Sequence, residues 1–316
     1  MKIATLKDGS RDGQLVVVSR DLSLAHYASG VVGRMQQLLD DWNFLSPQLE
    51  ELSQTLNHGK ARHAFAFDPA MCLAPLPRAA CVAMVDPPVM QRERHPLQLA
   101  VLRGDALLGA RETPPVAARN DGAAELPEPP VGLDFCGQLA LITGELAAGS
   151  AADDALAAIR LVMLACSWHR PEADEAMRAS PWASISFAPV AVTPDELGAA
   201  WSNGRIELPI DVMRGNKRFG RCPSAGDTGW SIGELLAAGA SHDGLRNGTL
   251  LGLGTPAGDG SVGDIAIASR RQRERELDGA PRTPYLEPGE ALRIDAIGRD
   301  GSSVFGAIEP ATAAHA

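Results

Sequence analysis

Residues 133–143, LDFCGQLALIT, constrain the fold more than any other stretch of the chain. Alternation over this run reads as a β-strand. It places Leu133, Phe135, Gly137, Leu139 and Leu141 on one side and Asp134, Cys136, Gln138 and Ala140 on the other. Further strands are expected at 2–6 and 14–19, joined by the turn DGSRDG, and at 184–192, 206–213, 249–252, 265–269, 291–297 and 303–308. Helices fit between them. Leu38, Leu39, Trp42, Leu45, Leu49, Leu52 and Leu56 recur at three- and four-residue spacing, with Pro47 read as starting a second helix after Ser46. Residues 151–165 are helical by composition, and 231–240 (SIGELLAAGA) is a helix. TPDELGAAW offers Thr193 as N-cap, Pro194 at N1 and Glu196 to close a capping box. Prolines at 69, 75 and 77 make 67–80 a linker. Between 79 and 130 prolines recur and only 97–102 (LQLAVL) reads as a strand. The expected fold class is α+β, a small N-terminal α/β domain over 1–75 and a β-rich body over 76–316.

Charge and composition exclude several function classes. Acidic residues number 39 against 29 basic ones in a chain of 316, a net charge of −10. That balance opposes nucleic-acid binding, which needs a basic footprint. Aromatic residues at 4% leave no base-stacking platform. No apolar run approaches the roughly 18 to 20 residues of a membrane span, and the polar turn after six residues does not read as a signal peptide. The five cysteines are irregularly spaced, with no CxxC pair and no HExxH, so reduced thiols in a cytoplasmic protein are the expectation.

Several segments resemble bacterial members of the fumarylacetoacetate hydrolase family. They are KIATLKDGSRDGQLVVVSRDLSLA, FDPAMCLAPLPRA, GLDFCGQLALIT, IRLVML, FAPVAVTPDELGAAW, NGTLLGLGT and SSVFGAIEP, in that order along roughly 1–78 and 130–310. The resemblance implies a C-terminal mixed β-roll, usually in a homodimer. In active members it implies Mg²⁺ or Ca²⁺ in a carboxylate cage, with a His–Glu pair activating water for C–C hydrolysis of a dioxo acid.

Carried over residue by residue, that chemistry loses its parts. The two metal-binding glutamates of the family strand fall on Cys136 and Gln138, the third carboxylate on Ser167, and the usual lysine on Trp182. The segment of the catalytic histidine is rewritten over 79–112, where Asp86, Glu93 and His95 do not reproduce the motif. The turn serine is Leu253, while Gly252, Gly254 and Thr255 remain. A hard divalent cation wants about six to eight oxygen ligands, with carboxylates supplying much of the affinity. Three carboxylates replaced by Cys, Gln and Ser leave no formal charge, and a thiol suits softer ions. The expectation is a degenerate metal site and no family Mg²⁺ or Ca²⁺ cofactor.

Other features have a sharp and a bland reading. Cys136, Cys166 and His169 can be gathered for a softer ion such as Zn²⁺, or the cysteines can be small buried hydrophobes. The second is preferred because no fourth ligand is evident. Cys136 paired with His169 or His95 is a candidate nucleophile, and Gly254, Thr255, Trp182 and Arg170 are candidate ligand-binding residues. Trp168 and Trp182 can fill the vacated pocket or be core or rim residues. RRQRERELD (270–278) is an anion site or, with its acids cancelling its arginines, a solvated face. Two functions follow: a pseudoenzyme homodimer that binds a small organic acid or partners an active paralogue, or a metal-independent enzyme acting on a small organic acid or biosynthetic intermediate. Ordinary C–C hydrolysis of dioxo acids ranks third.

Overall fold

The structure is a computed structural model describing residues 1–85, 97–99, 107–112, 133–169, 182–222, 231–254, 264–287 and 289–310. Its N-terminal part opens with β1 (Lys2–Leu6), β2 (Gln14–Val18) and β3 (Leu24–Tyr27), continues through α1 (Met35–Asp40) and α2 (Trp42–Asn57), and returns to β4 (Phe65–Ala66). Next come β5 (Cys81–Val85), β6 (Leu97–Leu99), β7 (Leu107–Leu108), β8 (Asp134–Thr143), α3 (Ala152–Ala155), β9 (Ile159–His169), β10 (Trp182–Phe187) and β11 (Val190–Val192). The remainder holds β12 (Trp201–Ser202), β13 (Arg205–Ile206), β14 (Ile210–Arg214), β15 (Lys217–Cys222), α4 (Ile232–Gly239), β16 (Thr249–Gly252), α5 (Ile267–Asp278) and β17 (Leu292–Ala296). This is the expected α+β class.

One large sheet runs in the order β4-β3-β2-β1-β11-β9-β8-β16-β5-β6, with β10 on β9 and β7 on β10. Most pairings are antiparallel; β16–β5 and β10–β7 are parallel. A smaller sheet, β15-β14-β17, packs near β8. The N-terminal strands join the main sheet directly, through Lys2↔Val192 and its neighbours in β1–β11. Apolar residues fill both faces of this sheet. Phe135, Leu139, Leu141, Leu164 and Trp168 belong to one core with Ile294 and Phe305. Ala140, Ile142, Met163, Ala165, Ile185 and Phe187 belong to a second, closed by Leu38, Leu39, Leu49 and Leu56 of α1 and α2.

Five expectations are corrected. The helix break falls at Asp41, and Pro47 lies inside α2. Only 152–155 of the stretch 151–165 is α-helical, with a 3₁₀ turn at 156–158 before β9. Ile159 to His169 bury both faces in the sheet, and that tertiary demand overrides the alanine-rich composition. The stretch 265–269 opens α5 rather than a strand, and 303–308 contributes isolated bridges at Ser303 and Ile308. Thr193 stands at the N-cap, but its hydroxyl serves the Met1 amino group (2.6 Å) and makes no cap bond, so no capping box forms there. The box forms instead at Ser231 and Glu234 of α4.

Gly233, near the start of α4, touches the backbone of α3: a Cβ there would overlap the carbonyl oxygen of Ala152. In an exposed helix Gly→Ala gains about 1 kcal/mol. Here the sign is expected to reverse, with Gly233→Ala lowering the melting temperature in a thermal melt.

Candidate active site

β8 and β9 pair along their length, and paired residues of antiparallel strands share a face. The register sets Cys136 opposite Ser167, Gln138 opposite Ala165 and Asp134 opposite His169. Asp134, Cys136, Gln138, Ser167 and His169 therefore lie on one face, and Ile185 of β10 continues it beside Ser167. Cys166 and Trp168 lie on the other. Cys136 and Cys166 thus do not converge on a shared ion. Trp168 does not join that face either; it is fully buried in the opposite core, where its indole N–H donates to Ser186 Oγ (2.9 Å). Burial pushes the Cys166 thiol well above its ordinary range, so that cysteine is inert.

Gln138 and Ser167 meet. The amide Nε2 of Gln138 donates to Ser167 Oγ (2.6 Å), and its Oε1 accepts the backbone N–H of Gly254 (3.0 Å). Both side chains are buried. One neutral side chain thereby spans β8, β9 and the turn after β16. Of the binding residues expected from sequence, Gly254 enters this bridge through its backbone. Trp182 is placed opposite His169 by the β10–β9 register. His95, Arg170 and Thr255 lie outside the described residues, as do Asp86 and Glu93.

The residue that sequence reasoning passed over is Asp134. Its Oδ1 and Oδ2 accept the backbone N–H groups of Ile267 and Ala268, each at 3.0 Å, so β8 caps the first turn of α5. Burial pushes its carboxyl up to about 7 despite those amides, which favour the charged form. The alternation had set Asp134 on the face of Cys136 and Gln138; a carboxylate in a strand otherwise buried was the available signal. The 270–278 run forms the body of α5. Arg270 lies over the Phe219 ring (3.9 Å to the centroid), Arg271 over that of Tyr285 (4.4 Å), and Arg273 pairs with Asp264 (2.6 Å).

The matches with known proteins agree with this architecture. The sequence model of the fumarylacetoacetase N-terminal domain 2 matches residues 1–78, and that of the fumarylacetoacetate (FAA) hydrolase C-terminal region matches 83–309. The chain belongs to the fumarylacetoacetate hydrolase family. The maleylpyruvate hydrolase of Sphingobium sp. SYK-6 shares the fold at a TM-score of 0.66 and 15% identity, covering 99% of this chain and 100% of that one. A probable 2-hydroxyhepta-2,4-diene-1,7-dioate isomerase from Mycobacterium abscessus does so at 0.66 and 13%, over 100% of both chains. The fumarylacetoacetate hydrolase of Exiguobacterium antarcticum gives 0.64 and 14%, again over 100% of both. No curated protein sequence matches the chain.

The expectation that no metal accompanies this protein is corrected by the Sphingobium enzyme, which was crystallised with manganese(II) and pyruvate: members of this fold hold a metal ion. The side chains of Cys136, Gln138 and Ser167 do not fit such an ion. They bring no carboxylate, and the one carbonyl oxygen of Gln138 already accepts from Gly254. Among the described residues no group of three or more His, Cys, Asp or Glu stands close enough to hold one. Nor is any helix among them long and apolar enough to cross a membrane.

Two outcomes are expected. Introducing acids with Cys136→Glu, Gln138→Glu and Ser167→Asp together crowds three carboxylates into a buried site, which repels in the absence of a cation. The melting temperature in EDTA should fall by at least about 3 °C, a loss of roughly 2 kcal/mol or more for a chain of this size. The second concerns Asp134. Its folded-state value lies above its unfolded one, so its contribution is full in acid and is lost as pH rises through about 7. Urea denaturation at pH 5 and pH 8 should show Asp134→Asn less stable than the parent at pH 5. At pH 8 the gap should narrow by on the order of a few kcal/mol.

Proposed function

We propose that this family member is a pseudoenzyme: a cytoplasmic homodimer that binds a small oxo or dioxo carboxylic acid, or that partners an active paralogue. The observation that supports this reading is Gln138, whose two polar ends are taken by Ser167 and Gly254 where metal-assisted cleavage requires anionic oxygens. Any divalent ion bound by this chain must draw its oxygens from other residues. The ligand class follows from the relatives of the same fold, whose names are those of hydrolases and an isomerase of oxo acids. Gly254, Thr255, Trp182 and Arg170 are proposed to line its site within a C-terminal unit of 76–316, behind an N-terminal unit of 1–75.

A second reading, acid–base chemistry on the same acids, is favoured by Asp134. Its carboxyl is tuned to about 7 and stands in register with His169, and perturbed groups of this kind cluster at functional sites. Cys136 is the nucleophile candidate on that face.

The purified protein, with Mn²⁺ or Mg²⁺ added, is expected to leave maleylpyruvate and related acylpyruvates uncleaved when their ultraviolet absorbance is followed. Pyruvate at about 100 times its dissociation constant should stabilise the fold by about 2.7 kcal/mol, seen as a raised melting temperature. Metal-dependent cleavage would overturn both readings. Turnover that vanishes in Asp134→Asn but not on metal removal would favour the second.

A further inference from the structure

Away from β8 and β9, the sheet β15-β14-β17 turns one face to the core and the other away from it. Alternation sorts its residues: Ile210, Val212, Ile294 and Ala296 are fully buried in the core, which leaves Asp211, Met213, Arg293 and Asp295 on the outer face. The β14–β17 register sets Met213 opposite Arg293 and Asp211 opposite Asp295. A later stretch of chain returns to this sheet. Ile308 exchanges backbone hydrogen bonds with Ile294, each 2.9 Å, and Glu309 N–H donates to Ala110 O (2.9 Å). Arg111, Arg293 and Glu309 are thereby drawn together from three segments.

A cleft of about 650 Å³ lies there, lined by Met213, Ala291 and Pro310 as well as by Arg111, Arg293 and Glu309. Concave sites of this size, with apolar walls and a few convergent polar groups, are the usual form of small-ligand sites. The charges are arranged around one carboxylate. Arg111 Nη2 meets Glu309 Oε2 at 2.5 Å and Arg293 Nη1 donates to Glu309 Oε1, so each carboxylate oxygen takes one guanidinium. Arg293 Nη2 also donates to Asp295 Oδ2 (2.7 Å), whose Oδ1 accepts from Ser303 Oγ (2.6 Å). Asp295 is buried and committed to the fold. Glu309 is not: both of its arginines are 47% exposed, and ion pairs that water reaches contribute little to stability. A carboxylate arriving from solvent makes the same two-point contact, and an apolar chain attached to it gains burial besides.

We propose that this cleft is a binding site for a monocarboxylic acid with a short apolar chain, in which Glu309 holds the place of the ligand's carboxylate until the ligand arrives. Arg111 and Arg293 then fork onto the ligand, and its chain lies along Met213, Ala291 and Pro310. With Asp295 and Glu309 counted, the four charged groups balance, so the ligand displaces Glu309 rather than joining it. None of these residues belongs to the β8–β9 face, and the site is independent of what that face binds or does.

Isothermal titration of the full chain with hexanoate tests it, beside acetate, which lacks the chain, and hexanol, which lacks the charge. Hexanoate should bind with a Kd at or below about 1 mM, and acetate and hexanol at least about tenfold more weakly. Glu309→Gln removes the resident charge from the fork and should tighten hexanoate binding about tenfold, whereas Arg111→Ala and Arg293→Ala should each weaken it at least about tenfold. Glu309→Gln and Arg111→Ala decide the matter where Arg293→Ala fails to fold. No saturable binding of hexanoate by either the parent or Glu309→Gln would overturn the site. So would hexanol bound as tightly as hexanoate, an affinity indifferent to the arginine variants, or a Glu309→Gln chain that binds no more tightly than the parent.

Discussion

The β8–β9 ladder is the constraint on which the rest of the structure depends. Ten residues of each strand are paired in antiparallel register, with one shift between Ile142 and Thr143. Because side chains alternate strictly across a strand, that register alone decides which residues can act together. It joins Gln138 with Ser167 and Asp134 with His169, and it sends Cys166 and Trp168 into the opposite core. A slip of one residue would bury the polar set among Leu139, Leu164 and Ile294 and turn the apolar set toward the site. The two cores that flank the sheet make such a slip prohibitive, so the site's geometry is inherited from packing rather than from polar contacts within it.

On this rigid frame the electrostatics of the site divide into a neutral part and a charged part. The neutral part is the Gln138 bridge. A divalent ion at such a point would cross-link three segments through charge; Gln138 cross-links β8, β9 and the turn after β16 through two hydrogen bonds. Each such bond contributes on the order of 1 kcal/mol net, and no ionised group has to be desolvated. The charged part is Asp134. Its two amide partners at the start of α5 favour the carboxylate, while burial opposes it, and burial prevails. The carboxyl is left titrating at about 7 where β8 meets the first turn of α5.

Much of the frame was legible in the sequence because alternation is a local signal. β1, β2, β8, β16 and β17 were read close to their limits, and the division of β8 into an Asp134–Cys136–Gln138 face and a Phe135–Leu139–Leu141 face was read without error. The first half of β9 is hidden in the sequence because a strand buried on both sides shows no period of two, and the alanines of 151–158 just before it extend a helical composition into it. The start of α5 reads as a strand in the sequence because residues 265–267 are buried beside β8, not on an amphipathic face of their own. Pro47 was given a boundary role that Asp41 holds. At the site, the family resemblance pointed to Cys136, Gln138 and Ser167, which the register sets on one face, but the bridge from Gln138 to Ser167 and Gly254 was not legible. Gln138 finds Gly254 at a separation of 116 residues, and Asp134 finds Ile267 at 133. No spacing in the chain encodes either meeting.

A neutral bridge at this point makes no demand on the fold for a cation. Buried like charges without their ion repel, and a fold that depended on filling them would unfold when the ion left. Here the bridge stands beside Ala140, Ala165, Ile185 and Leu250, which share one continuous core. The polar atoms of Gln138 are matched by the two partners that the register and the β16 turn bring within reach. Metal-assisted chemistry and fold stability are therefore separable in this architecture. The sheet supplies the positions, the side chains at those positions decide what is held there, and in this chain Gln138 spends its only carbonyl on the backbone of Gly254.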